Sequence, residues 1–435
     1  MKTILIRGGR VIDPASSLDA ELDVLLRDGK VAAIDAPGQS KLKKDEKVEI
    51  IEANGLVVAP GLVDIHVHLR EPGQVYKETI ASGTAAAAAG GFTSVCAMPN
   101  TIPVNDSPET TRWMQSADRG AVIRVFPIAA ATRGSAGEAL SEYGSLKAAG
   151  AVAITDDGKP ILNDAIMRQA LAAAARAGLP VIQHAEDTRL TANGSMNAGP
   201  MAFRLGLRGM PTEAESGLVE RDIRLLAEFK DTRPHLHVAH VSTAAALESV
   251  RRARRNGLRV TCEVTPHHFL LTEEAVGLYD TNAKMNPPLR SAADRNAMLA
   301  GILDGTVDAI ATDHAPHATH EKEQEFERAP NGITGLETAL GLSLSWLHKT
   351  HKLALTSVIS LLSTQPAAVL ALKGRGSLAV GSFADVVIFD PAKEWIFEAK
   401  QSRSKSNNTP FDGYKLLGKV HFTISEGRVV FQARG

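Results

Sequence analysis

Two histidines separated by one residue, His66 and His68, end an otherwise apolar run, LVDIHVH, that starts at Leu62. In an extended strand alternate side chains point to the same side, so both imidazoles face one way. Imidazoles placed like this form half of a first-row metal site or a pair of hydrogen-bonded core histidines, and the pair alone does not choose between them. Other polar groups close similar apolar runs: Asp156 and Asp157 after VAIT, His184 in PVIQHAE, His240 in LHVAHVS and Asp313 in VDAIATDHA. A carboxylate or imidazole taken out of water needs a metal or a hydrogen-bond partner. One shared metal site satisfies all of these groups at once, whereas the alternative needs a separate buried network at each run end.

Four histidines and two carboxylates exceed the needs of one catalytic zinc, which takes three protein ligands and keeps an open position. Two divalent ions are therefore expected. A hydroxide held between them is a nucleophile at neutral pH, and either ion can polarise an amide oxygen. Imidazole and carboxylate donors suit zinc best, although they also accept manganese, cobalt or iron. The chemistry expected is hydrolytic rather than redox. Neighbours on a strand point to opposite sides, so only one of Asp156 and Asp157 faces such a site.

The elements that carry these groups follow a regular plan. Eight strand-like runs begin at Leu62, Phe92, Ile123, Val152, Pro180, Leu236, Arg259 and Val307, and helical stretches such as DAIMRQALAAAARAG and TAAALESVRRARRNG follow most of them. This alternation predicts an α/β fold, a closed (β/α)8 TIM barrel, with the ligand candidates at the carboxyl ends of its strands, the face on which such folds build active sites. No GxGxxG fingerprint follows the first strand, which argues against a dinucleotide fold. Residues 1–58 and 373–435 instead read as short strands and turns, and together they predict a small β-sandwich module built from both chain ends around a catalytic domain at 59–372. The polar stretch 399–413 reads as a mobile loop, and so does the charged EKEQEFE after His320.

With 435 residues and a formal net charge of −1, the chain offers neither the basic excess of a nucleic-acid binder nor a polybasic membrane surface. It has no apolar run long enough for a secretory signal or a membrane span, so a cytoplasmic protein acting on a small molecule is expected. Cys96 and Cys262 are the only cysteines and read as small core hydrophobes. His267 and His268 in TPHH fit a pocket or supporting role, and Arg251, Arg252, Arg254 and Arg255 a solvated helix face.

The segments GLVDIHVHLREPG, GGFTSVCAMPNT, TDDGKP, AHVST, EVTPHH, KMNPPLR, ATDHAPH and GITGLETA occur in order from Gly61 to Ala339. In this they closely resemble the class I dihydroorotases of the amidohydrolase superfamily. The resemblance implies that His66, His68 and Asp313 hold one metal ion, that His184 and His240 hold the other, and that Asp157, just before Gly158, bridges them. Asp313 would be the proton shuttle. Arg70, Asn100 and His317 would hold a substrate carboxylate, and Asn286 with the backbone near Asn331 and Gly332 would bind a pyrimidine ring. The implied reaction is the reversible cyclisation of N-carbamoyl-L-aspartate to (S)-dihydroorotate in pyrimidine biosynthesis. It would be catalysed by a homo-oligomer with two zinc ions and, in some settings, an aspartate transcarbamoylase partner. A hydantoinase or allantoinase would lack the use for Arg70 with Asn100. A non-catalytic dihydroorotase-like partner protein would have lost metal ligands, and every matching position is filled here.

Overall fold

The computed structural model describes residues 3–433. Its central strands are β1 (Leu62–Val67), β2 (Phe92–Ala97), β3 (Arg124–Pro127, resumed at Ala129–Ala130), β4 (Ile154–Thr155), β5 (Val181–Gln183), β6 (Leu236–Val238), β7 (Val260–Val264) and β8 (Ala309–Ile310). All pair parallel and in chain order, β1 to β3 in one ladder and the second half of β3 to β8 in another. Ile128 joins the halves of β3, and its N–H donates to Ala97 O at 2.8 Å. Past β8, His314 forms a parallel bridge to Val67, and His68 N–H donates to His314 O at 2.8 Å. The continuation of the last strand therefore lies beside the first.

Helices cover these strands for readable reasons. In Asp164–Ala177 the Asn163 side chain caps the first turn and Gly178, at φ 64°, ends the last. The residues it buries, Met167, Ala170, Leu171 and Ala174, follow the spacing of a single helical face. Ala244–Arg255 is capped by Thr243, and its arginines lie outward, paired with Glu220, Glu248, Asp304 and Asp308. Ile80–Ala89 buries Gly83, Thr84, Ala86, Ala87 and Ala88, and the small side chains of this Ala-rich stretch let it pack closely on the strands.

Strands from both chain ends form one eight-stranded sheet. Val57–Pro60 pairs antiparallel with Val386–Ile396, which in turn pairs with Lys415–Ser425. The long Thr3–Asp13 strand pairs with Val48–Glu52 along its first half and with Val57–Pro60 along its second, with an irregularity between Ile6 and Gly9. Gly8 sits there at φ 69°, where an added Cβ would lie 2.4 Å from the Asn54 side chain. The sheet encloses its own apolar cluster, including Ile4, Ile6, Val24, Ile51, Val386, Ile388 and Ile424.

The stretch 399–413 corrects the reading from sequence. It is not a solvated loop: Ser404, Ser406, Asn408 and Thr409 are buried. Ser404 Oγ donates to Glu78, and Ser406 Oγ donates to Lys77 O at 2.7 Å. Serine and asparagine suit a solvated loop or a buried polar brace equally well, and here they form the brace.

His268 follows β7 and is buried among neutral partners. Its Nδ1 accepts from Thr265 Oγ1 at 2.8 Å, and its Nε2–H donates to Pro287 O at 3.0 Å. Burial pushes its pKa from 6.5 down to about 3. Between those values the unfolded chain binds a proton that the folded chain refuses, so this group makes the fold less stable as pH falls from 6.5 toward 3. Denaturant unfolding of the His268→Gln variant across that window should show a shallower loss of stability with acidification than the unmodified protein. An unchanged slope would remove His268 from the acid sensitivity.

Candidate active site and metal centre

The ladders end before the chemistry begins. Only His66 lies within a strand, whereas His68, Asp157, His184, His240 and Asp313 follow strand ends, so alternation along a strand does not aim them. Backbone bends do: His240 has φ 30°, Asp313 φ 47° and Arg70 φ 58°, all in the left-handed region that non-glycine residues rarely occupy. Such conformations cost on the order of 1–3 kcal/mol each and persist where the surroundings over-determine them.

The six expected ligands come together at these strand ends, all buried, two of them (His240 and Asp313) on such bends. Asp157 Oδ1 lies 3.5 Å from His66 Nε2, 3.7 Å from His184 Nδ1 and 3.8 Å from His240 Nε2, and Asp157 Oδ2 lies 3.5 Å from His68 Nε2. Asp313 Oδ1 is 3.0 Å from His68 Nε2 and 3.5 Å from His66 Nε2. The donors form two groups able to hold an ion, His66–His68–Asp157 and Asp157–His184–His240, with Asp157 common to both. Ligand atoms around a tetrahedral zinc with bonds of about 2.0–2.1 Å lie roughly 3.3 Å apart, which matches these separations. Asp156 turns away: it accepts from Thr132 N at 3.0 Å and from Thr132 Oγ1.

Two buried atoms at the centre, His66 Nε2 and Asp157 Oδ1, have no hydrogen-bond partner among the described residues. An orphaned imidazole nitrogen facing an orphaned carboxylate oxygen fits a shared cation. Electrostatics agree. Burial alone would raise the Asp157 pKa, but His66, His240 and His68 outweigh it and hold the carboxyl well below its usual range. Burial likewise disfavours a charged His66, yet Asp157, Glu263 and Asp313 raise it well above 6.5. The centre is thus built around fixed negative charge that wants cations beside it.

The remaining predicted residues, Arg70, Asn100, Asn286, His317, Asn331 and Gly332, line one cavity of about 240 Å³ with His68, Asp157, His184, His240 and Asp313. A larger cavity of about 560 Å³ lies elsewhere, lined by residues such as Glu337, Trp395 and Phe431, and holds none of these groups. His317 Nε2–H donates to Asn331 O at 2.9 Å while Lys77 Nζ approaches its Nδ1 at 3.3 Å. Burial, with Arg70 and Lys77 nearby, pushes His317 down to about 2, so the ring is neutral. Arg70 Nε donates to Pro316 O at 3.1 Å and its Nη2 lies 3.3 Å from His317 Nε2, which fixes the guanidinium at the edge of the cavity, where it can face an anion. Asn100 joins the two halves of the site: its Oδ1 lies 2.8 Å from His68 Nδ1, and its Nδ2 donates to Asp157 Oδ2 at 3.2 Å. Asn286 Nδ2 donates to Glu186 Oε2 at 2.7 Å.

Two carboxylates escaped the sequence reading. Glu263 on β7 accepts from His66 Nδ1 at 2.7 Å and from His237 Nε2 at 3.1 Å. Glu186 accepts from His184 Nε2 at 2.9 Å. Each binds the ring nitrogen that points away from the cluster around Asp157. Burial would raise Glu263, but His66 and His237 bring it down to about 2, so it stays ionised. A signal existed, because Glu263 interrupts the apolar run RVTCEVT much as His66 interrupts its own.

Fold and site together place the chain among amidohydrolase-type α/β proteins, which gather metal-ligating histidines and aspartates at the ends of parallel strands. Residues 55–246 match the family model described as Dihydro-orotase-like. The chain is 52% identical to the dihydroorotase of Citrifermentans bemidjiense over 99% of its own length and 100% of that protein's. It is also 52% identical to the dihydroorotase of Geobacter sp. strain M21, covering 99% of each chain. Among solved structures it resembles the L-hydantoinase (dihydropyrimidinase) of Arthrobacter aurescens, with TM-score 0.87 and 25% identity over 99% of this chain and 96% of that one. The dihydropyrimidinase of Brevibacillus agri NCHU1002 gives TM-score 0.83 and 25% identity over 99% and 95%. The chain belongs to the dihydroorotase family.

Glu263 fixes the proton of His66 on Nδ1 and so turns the Nε2 lone pair toward the cluster. Replacing Glu263 by Gln should weaken divalent-metal affinity about 10- to 100-fold, measured by chelator competition, because the neutral amide supports the ring less well. Wild-type affinity in a folded variant would show that His66 needs no such partner.

Proposed function

We propose that the protein catalyses the reversible cyclisation of N-carbamoyl-L-aspartate to (S)-dihydroorotate, using two divalent ions, best matched by zinc. His66, His68 and Asp313 would hold one ion, His184 and His240 the other, and Asp157 would bridge them. The observation that carries this reading is the pair of ligand groups sharing Asp157 and opening into the same cavity as Arg70. The eight sequential parallel strands, with the last beside the first, support closure as a (β/α)8 barrel at 59–372. The shared sheet of residues 1–58 and 373–435 would fold over as the accompanying β-sandwich. Cytoplasmic location, homo-oligomeric assembly and an optional aspartate transcarbamoylase partner belong to the same proposal. No helix among the described residues is long and apolar enough to cross a membrane.

When bound, the ion pair supplies an activated water and a Lewis acid for the ring amide. The chain's own residues do the rest. Arg70 pairs with the substrate carboxylate, with neutral His317 and Asn100 beside it, while Asn286 and the backbone at Asn331 and Gly332 bind the ring. Burial would raise Asp313, but His66 and His68 keep its carboxyl below the usual range, so it starts as a base. It takes the proton of the attacking water and delivers it to the ring nitrogen as the C–N bond breaks. In the cyclising direction Asp313 takes a proton from the ureido nitrogen as that nitrogen attacks the carboxylic acid carbon, and returns it to the departing hydroxyl, which leaves as water.

A hydantoin has no ring carboxylate for Arg70, so an enzyme built for it would leave a buried guanidinium fork unpaired. Arg70→Met should therefore lower kcat/KM for dihydroorotate by on the order of 2 to 4 kcal/mol of transition-state stabilisation. Weakly accepted uncharged rings should lose much less, at unchanged metal content. Equal losses on both substrate types, or preference of the unmodified protein for a hydantoin, would overturn the assignment.

A further inference from the structure

We propose that Asn408 is the positioning residue of the carboxylate and ring pocket, supplied by the terminal sheet and acting through His317 and Gly332. It sits in the connection between Val386–Ile396 and Lys415–Ser425, two paired strands of that sheet. This connection leaves the sheet, runs to the carboxyl ends of the parallel strands and returns.

Every hydrogen-bonding atom of the Asn408 amide is used there, and none of its partners lies in the terminal sheet. Its Oδ1 accepts from His317 N–H at 3.0 Å, and its Nδ2 donates to Ala315 O at 3.1 Å and to Gly332 O at 2.9 Å. Its main-chain oxygen accepts from Thr334 N–H at 2.8 Å. The side chain thus ties Ala315 and His317 to Gly332, three residues that line one cavity, and the main chain adds the bond to Thr334. They touch so closely that a Cβ on Gly332, at φ 136°, would lie 2.7 Å from Ala315 Cβ. Asn408 is itself 4% exposed, so its amide has no water to fall back on. Ser404 and Ser406 hold the connection from behind, on Glu78 and the Lys77 carbonyl. The planar asparagine amide supplies one acceptor and two donors together; aspartate would turn a carboxylate oxygen toward two carbonyls.

The inference rests on the assignment of His317 and Gly332 to substrate binding. Asn408→Ala should raise KM for dihydroorotate about tenfold, with kcat within about threefold and metal content unchanged, because the wall loosens while the metal ligands stay in place. Ser402→Ala, in the same connection but bonded to Glu337 outside the pocket, should leave KM unaltered. Wild-type KM in Asn408→Ala beside a raised KM in His317→Ala would overturn the role of Asn408 and leave the pocket standing. Wild-type KM in both would bring down the pocket assignment and the inference with it. Should Asn408→Ala not fold, hydrogen exchange of the unmodified protein decides. An equilibrium mixture of dihydroorotate and carbamoyl aspartate should slow exchange across residues 404–410, and unchanged exchange there would contradict the coupling.

Discussion

A buried carboxylate surrounded by four imidazoles is the constraint on which the site depends. Asp157 has lost its water, and its Oδ1 has gained no hydrogen bond among the described residues in return. Desolvating an ion without compensation costs several kcal/mol, so something cationic must sit beside it. Protonated imidazoles can serve, which is why His66 is raised above its ordinary value. Two divalent ions serve better, because each also satisfies the lone pairs that converge on it. The same arrangement explains why Asp313 stays ionised in a buried site, and an ionised Asp313 is what the proposed proton transfer starts from.

Holding that cluster takes more than its own six side chains. Carboxylates at Glu263 and Glu186 hold the far nitrogens of His66 and His184, and Asn100 holds that of His68. His240 and Asp313 sit in left-handed backbone conformations that the surrounding hydrogen bonds must pay to maintain. The terminal sheet contributes as well, since its long connection braces Glu78, Lys77 and the wall carrying His317 and Gly332. Chain ends that look like an appendage in sequence are thereby linked to the cavity.

Much of this was legible beforehand because polar residues that interrupt apolar runs stand out. His66, His68, His184, His240 and Asp313 could be found that way, and the parallel strands follow the eight runs in order. The choice of Asp157 over Asp156 could not be made from alternation, since the chain has left strand geometry by that point; the Asp156 partner, Thr132, lies 24 residues away. Glu263 interrupts a run in the same manner, but its partners His66 and His237 lie on other strands and sequence alone does not join them. Composition does not distinguish the stretch 399–413 as a buried polar brace from a solvated loop, and its partners are distant: Glu78 lies 326 residues from Ser404. Left-handed bends at His240 and Asp313 leave no local mark, as neither residue is glycine.

Sharing of Asp157 by two ions is tested most directly by anomalous scattering from crystals of the zinc-loaded protein. Two peaks roughly 3.5 to 4 Å apart are predicted, one beside His66 and His68 and one beside His184 and His240, with Asp157 between them. A single fully occupied peak, or peaks remote from these histidines, would contradict it.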